Sequence, residues 1–162
     1  MSDSIIVKIE EKIVYLIKNI SADWGDDSID IDKFPPDRID LPCAKLELTA
    51  EVNIDESDDD AIGPTGAFAG AYYNALSYKI IMKGKLSDRK KHLEALDDLK
   101  KVFGVHYTLE DSGASAIMYR GFKFVKKDKD NEHLEADDLM MESTWIVRYY
   151  QSRTEPGEVA EV

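Results

Sequence analysis

The sequence predicts an α+β domain: a mostly antiparallel sheet with two helices packed on one face, a long hairpin and a flexible C-terminal tail. Three observations carry that prediction. Two stretches have apolar residues at helical spacing, and each is separate from the runs that alternate like strands. The strand-like runs follow one another through turn-forming residues, which implies hairpins and an antiparallel sheet. Composition does not shift along the chain, and 162 residues fit one domain. The expected division is a domain over 1–153 and an acidic tail over 154–162.

The first helix is read over residues 4–20, where Ile5, Ile6, Ile9, Ile13, Leu16, Ile17 and Ile20 form one apolar face. Ser4 is the expected N-cap, with Asp3 beside the positive helix end. Val7 and Val14 widen the stripe beyond what one contact needs. Residues 21–42 read as a connection, because Trp24-Gly25, Asp26-Asp27 and Phe34-Pro35-Pro36-Asp37 break regular structure. Trp24, Ile29, Ile31 and Phe34 should still pack along the body.

From Lys45 to Asp55 the chain alternates, with Leu46, Leu48, Ala50, Val52 and Ile54 on one side of a half-exposed strand. An acidic loop follows, Asp55-Glu56-Ser57-Asp58-Asp59-Asp60, leading into Gly63-Pro64-Thr65-Gly66. A second long strand is expected from about Phe68 to Lys83, rich in Tyr72, Tyr73, Tyr78, Ile80 and Ile81. The pair reads as an antiparallel hairpin with a long tip. Ser87 and Asp88 start the second helix, His92, Leu96, Leu99 and Phe103 mark its buried stripe, and Gly104 ends it. Three strands should then follow: one from Val105, one over about Ala116–Lys126, and one over Met140–Arg153 with Trp145, Val147 and Tyr149 on a shared face. Pro156 and Gly157 mark the tail.

Charge and composition exclude several classes. With 33 acidic against 21 basic residues the net charge is -12, which opposes nucleic-acid binding because phosphate contacts need a basic footprint. No segment approaches the roughly 20 apolar residues that span a bilayer, and Met1-Ser2-Asp3-Ser4 lacks the basic start of a secretory signal. The expectation is a soluble protein with no membrane partner. One cysteine, Cys43, cannot form an internal disulfide, and it reads as a small buried residue made in a reducing compartment.

No enzyme active site is legible. His92, His106 and His133 are isolated, without the pairing or cysteine cluster that zinc needs. Gly63-x-x-Gly66-x-x-x-Gly70 and Gly84-Lys85-Leu86-Ser87 fit neither phosphate-binding glycine pattern. Asp128-x-Asp130-x-Glu132 begins like a calcium loop, but His133 and Leu139 occupy the positions that need Gly and Glu. No catalytic residue, cofactor or metal is therefore assigned.

The order of elements resembles the tail terminator proteins of long-tailed bacteriophages and of phage-tail-like particles. The likeness rests on the helix Ile5–Ile20, the Pro-rich connection into Leu46–Ile54, the strand-helix pair Tyr72–Phe103 and the final strand Trp145-Ile146-Val147-Arg148-Tyr149-Tyr150. It is a likeness of order and character over about residues 4–152, without a diagnostic motif. It implies a virion protein, made in the host cytoplasm, that forms a hexameric ring at the head-proximal end of the tail. The ring caps the tail tube, stops its growth and meets neck or head connector proteins, and DNA passes through it without sequence-specific binding. On that reading the interaction residues are Asp55, Glu56, Asp58, Asp59, Asp60, Phe68, Tyr72 and Tyr73. Two alternatives stay open: another neck or head–tail completion protein, and an acidic module that mimics DNA on a basic partner.

Overall fold

The computed structural model describes residues 4–54 and 71–159. Helix α1 (Ile5–Lys18) comes first, then strands β1 (Ile29–Ile31), β2 (Ala44–Asn53) and β3 (Ala71–Met82). A 3-10 turn, Leu86–Asp88, leads into helix α2 (Arg89–Val105), and β4 (Ala114–Val125) and β5 (Met140–Ser152) complete the chain. The five strands form one sheet in the order β1-β2-β3-β5-β4. Only the β1–β2 pairing is parallel; the other three are antiparallel. The α+β class, the mostly antiparallel sheet and the two covering helices all stand as the sequence implied.

Helix α1 forms where its stripe demands. Ile5, Ile9, Ile13, Leu16 and Ile17 are buried, at spacings that place them on one face. Full burial of each such side chain contributes roughly 1.5–3 kcal/mol, which outweighs a helix start at Ser4 without a side-chain cap bond. Val7, on the widened stripe, is exposed. The α2 face presents His92, Ala95, Leu96, Leu99 and Phe103. Both faces meet one core with Leu46, Leu76, Tyr78, Ile80, Met141, Trp145 and Val147 from the sheet. Trp145 is the centre of an aromatic group, with Phe103 at 5.0 Å and Tyr119 at 5.1 Å between ring centroids.

Four expectations change. A third strand does not begin at Val105. That residue ends α2, and His106 to Gly113 turn the chain, with Leu109, Asp111 and Gly113 at positive φ. The fifth strand is instead β1, hidden in the connection between Trp24 and Pro42. Its three residues pair with Ala44, Lys45 and Leu46, a long-range choice that no local pattern announces. The second helix starts at Arg89 rather than after Ser87, because Asp88 turns back to accept from the Lys85 backbone N–H at 2.8 Å and closes a 3-10 turn.

The last change concerns β2. Its alternation does not persist, because a bulge between Leu48 and Ala50 inserts Thr49. Beyond the bulge Glu51 pairs with Leu76 and lies on the helix side, while Ala50 and Val52 turn to the opposite face. A single extra residue exchanges the two faces of a strand. Thr49 stabilises the irregularity by donating its hydroxyl to the Ser77 carbonyl at 3.0 Å.

Candidate assembly surface

The antiparallel hairpin of β2 and β3 is present, with its arms in register from Ala44↔Met82 to Asn53↔Asn74. The acidic residues Asp55, Glu56, Asp58, Asp59 and Asp60, together with Phe68, lie outside the described residues. Tyr72 and Tyr73 are described, and they point to opposite faces of β3. Tyr73 stacks on Tyr150 with ring centroids 4.5 Å apart and planes 14° from parallel. Arg148 donates from Nη1 to the Tyr73 hydroxyl at 3.3 Å. Tyr72, half exposed, lies under the Arg153 guanidinium at 5.1 Å. Tyr150, Arg148 and Arg153 were not among the interaction residues expected from sequence; the signal was available in the aromatic-basic run at the end of β5.

Both helices pack on the same face of the sheet. On the other, strand register sets Lys79 beside Glu47 and Thr144, Ser77 beside Ile146, and Ala75 beside Val52 and Arg148. Glu142 lies between Lys79 at 3.6 Å and Lys123 at 3.5 Å. At one end the connection crosses this face, where Phe34 sits under Lys45 and Lys83 at 5.1 and 5.4 Å. The rest is a mixed-charge surface ending in the Tyr73–Tyr150 stack toward the loop end of the hairpin.

The opposite end of the sheet carries a cleft of about 500 Å³, lined by Arg38, Lys83, Lys85, Asp88, Lys91 and Asp138 among others. Its charges are largely committed to structure. Lys85 binds Asp138 at 2.6 Å, and that hydrogen bond holds the Asp138 carboxyl below the usual range. Arg38 pairs with Asp27 at 2.7 Å and also bonds the Asp23 and Asp40 carbonyls. Cys43 is buried, as its sequence neighbours suggested, and burial pushes its thiol up, away from the thiolate that nucleophilic chemistry needs.

Two of the three histidines, His92 and His106, have structural partners. His92 is buried against Gly84 and bonds through Nε2 to the Leu139 carbonyl at 3.0 Å; burial lowers its pKa. His106 pairs with Glu110 at 3.1 Å on the surface. In the calcium-like loop, the Asp128 carboxylate accepts from the backbone N–H of Asp130 and Asn131 and so caps its own turn. No cluster of three or more His, Cys, Asp or Glu able to hold a metal occurs among the described residues. No helix among them is long and apolar enough to cross a membrane.

Comparison with known proteins returns no family model and no curated protein that matches the chain.

Proposed function

We propose that this protein is a structural subunit of the phage tail terminator type, forming a ring that caps a tail tube and joins it to the neck or head. One observation supports the reading above the rest: the helices cover a single face of the sheet, and the other face is left open, with the Tyr73–Tyr150 stack and Arg148 toward the loop end of the hairpin. Such a design invests its core on one side and leaves strand edges and aromatic side chains for neighbours, where aromatic residues and Arg concentrate binding energy. A net charge of -12 suits a channel that DNA crosses without adhering.

The alternative of an acidic DNA mimic fits less well. A mimic needs a face of one sign, whereas the open face sets Lys79, Lys123 and Arg148 among its carboxylates. An adaptor at another position in the neck uses the same surfaces, and only partner binding separates the two. The test is to incubate the purified full chain with tail tubes of its own phage and image them. The reading expects rings seated on one end of each tube and no further tube growth; tubes that stay bare and keep growing contradict it.

A further inference from the structure

Among the described residues the sheet has two open edges, and they carry opposite charge. On one side β1 covers β2 only at Ala44, Lys45 and Leu46, so among the described residues the β2 edge is open from Glu47 to Val52. That stretch contains Glu47 and Glu51 and no cation. The alternation of an antiparallel ladder turns the backbone groups of Leu48 and Glu51 outward, since the Ile54 N–H already points inward to the Tyr73 carbonyl. On the other side of the sheet lies β4. Its Ile117 N–H is taken by the Tyr107 carbonyl at 2.7 Å, and among the described residues the edge is open from Met118 to Val125. That stretch contains Arg120 and Lys123 and no carboxylate. Both edges also expose apolar side chains: Leu48 and Val52 on β2, Phe122 on β4.

Charges and bulges on an edge ordinarily prevent strands from pairing with the wrong chain. Here the signs permit one pairing and oppose two. Joining β2 to β2 would set Glu47 and Glu51 against their own kind, and joining β4 to β4 would do the same with Arg120 and Lys123. Only β2 against β4 opposes unlike charges. The two strands run in opposite directions within the sheet, because three successive antiparallel pairings separate them. Copies standing side by side in one orientation therefore bring β2 to the next copy's β4 in antiparallel sense.

We propose that the acidic β2 edge of one copy adds to the basic β4 edge of the next, head to tail, so that the sheet continues from subunit to subunit. The interface is heterologous, the kind that closes into a ring or extends as a filament. The proposal rests on the ring reading and specifies its contact. Arg120 suits the role, having no ion-pair partner among the described residues; Glu47 reaches Lys45 only at 3.8 Å, and Lys123 shares Glu142. Glu51 is better left intact in a test, because it accepts the Tyr149 hydroxyl at 2.8 Å.

The experiment uses the full chain with E47K, with R120E, and with the two variants mixed in equal amounts. Thermal melting of each variant checks that the fold is kept, and the assembled fraction is read by light scattering over a concentration series at moderate salt. Each variant alone faces like charge with like at every interface, and association should weaken about tenfold per contact. In the mixture the altered β2 edge of E47K meets the altered β4 edge of R120E, with the charges exchanged. The unaltered Glu47 and Arg120 meet at the interfaces between, so unlike charges oppose throughout and assembly should return. Folded variants that each assemble like the wild type, or a mixture that stays dissociated, overturn the edge pairing and leave the ring reading standing. A wild-type chain that remains monomeric throughout overturns both.

Discussion

On the helix-covered face of the sheet, Leu76, Tyr78, Ile80, Trp145 and Val147 are almost wholly buried, and their few polar atoms are matched. Tyr78 donates its hydroxyl to Glu10 at 3.0 Å, and the Trp145 indole N–H donates to Ser143 at 2.9 Å. On the open face the residues between them, Ser77, Lys79, Thr144 and Arg148, stay half exposed; Lys79 pairs with Glu142, and Arg148 donates to the hydroxyl of Tyr73, which stacks on Tyr150. The same strands supply both surfaces. The difference teaches that one set of strands builds a packed face and an open face, so mutations on the two sides should differ in their cost to stability.

The largest expected effect is on the covered face. Trp145→Ala removes the ring that Phe103 and Tyr119 pack against and should cost about 3–5 kcal/mol in urea unfolding. Tyr78→Phe is smaller. It strips the half-buried Glu10 carboxylate of its donor and should cost about 1–3 kcal/mol by the same measurement.

A pH series sharpens the contrast further. Burial keeps the His92 imidazole neutral and its pKa below the ordinary value of 6.5, so the unfolded chain takes up the proton first. The stability that neutral His92 contributes is complete above that value and is lost as pH falls through it, levelling off below the folded-state pKa. Melting temperature should therefore decline on acidification below 6.5, and in His92→Leu that part of the decline should be absent. The smallest effect belongs to the open face, where Thr144→Ala should change stability by no more than about 0.5 kcal/mol. A loss there as large as that of Tyr78→Phe would erase the distinction between the faces.

What the sequence revealed follows the same division. The α1 stripe and the Trp145-Val147-Tyr149 face were legible because burial on one side imposes a period, and a period can be read. The β2–β3 hairpin was legible in part, since a Tyr-rich run marks β3. β1 was not, because three residues carry no period and their pairing with Ala44–Leu46 is decided across the Pro-rich connection. Nor was the Thr49 bulge, since a side-chain alternation cannot show that an extra residue has reversed it. Val105 looked like a strand start because it is β-branched, yet the turn through Leu109 and Asp111 claims the residues after it. The residues proposed for assembly divide likewise: Tyr72 and Tyr73 stood out as aromatics, whereas Glu47 and Arg120 gain meaning only from a strand order that places them on opposite edges.

The central claim is that this chain assembles with itself through surfaces the helices leave open. The most direct measurement is the solution mass of the purified full chain by light scattering after size exclusion, over a wide concentration range, with negative-stain images of the peak. The expected particle is a closed ring of about six copies of the 18.3 kDa chain. A particle of one chain's mass at every concentration would contradict it.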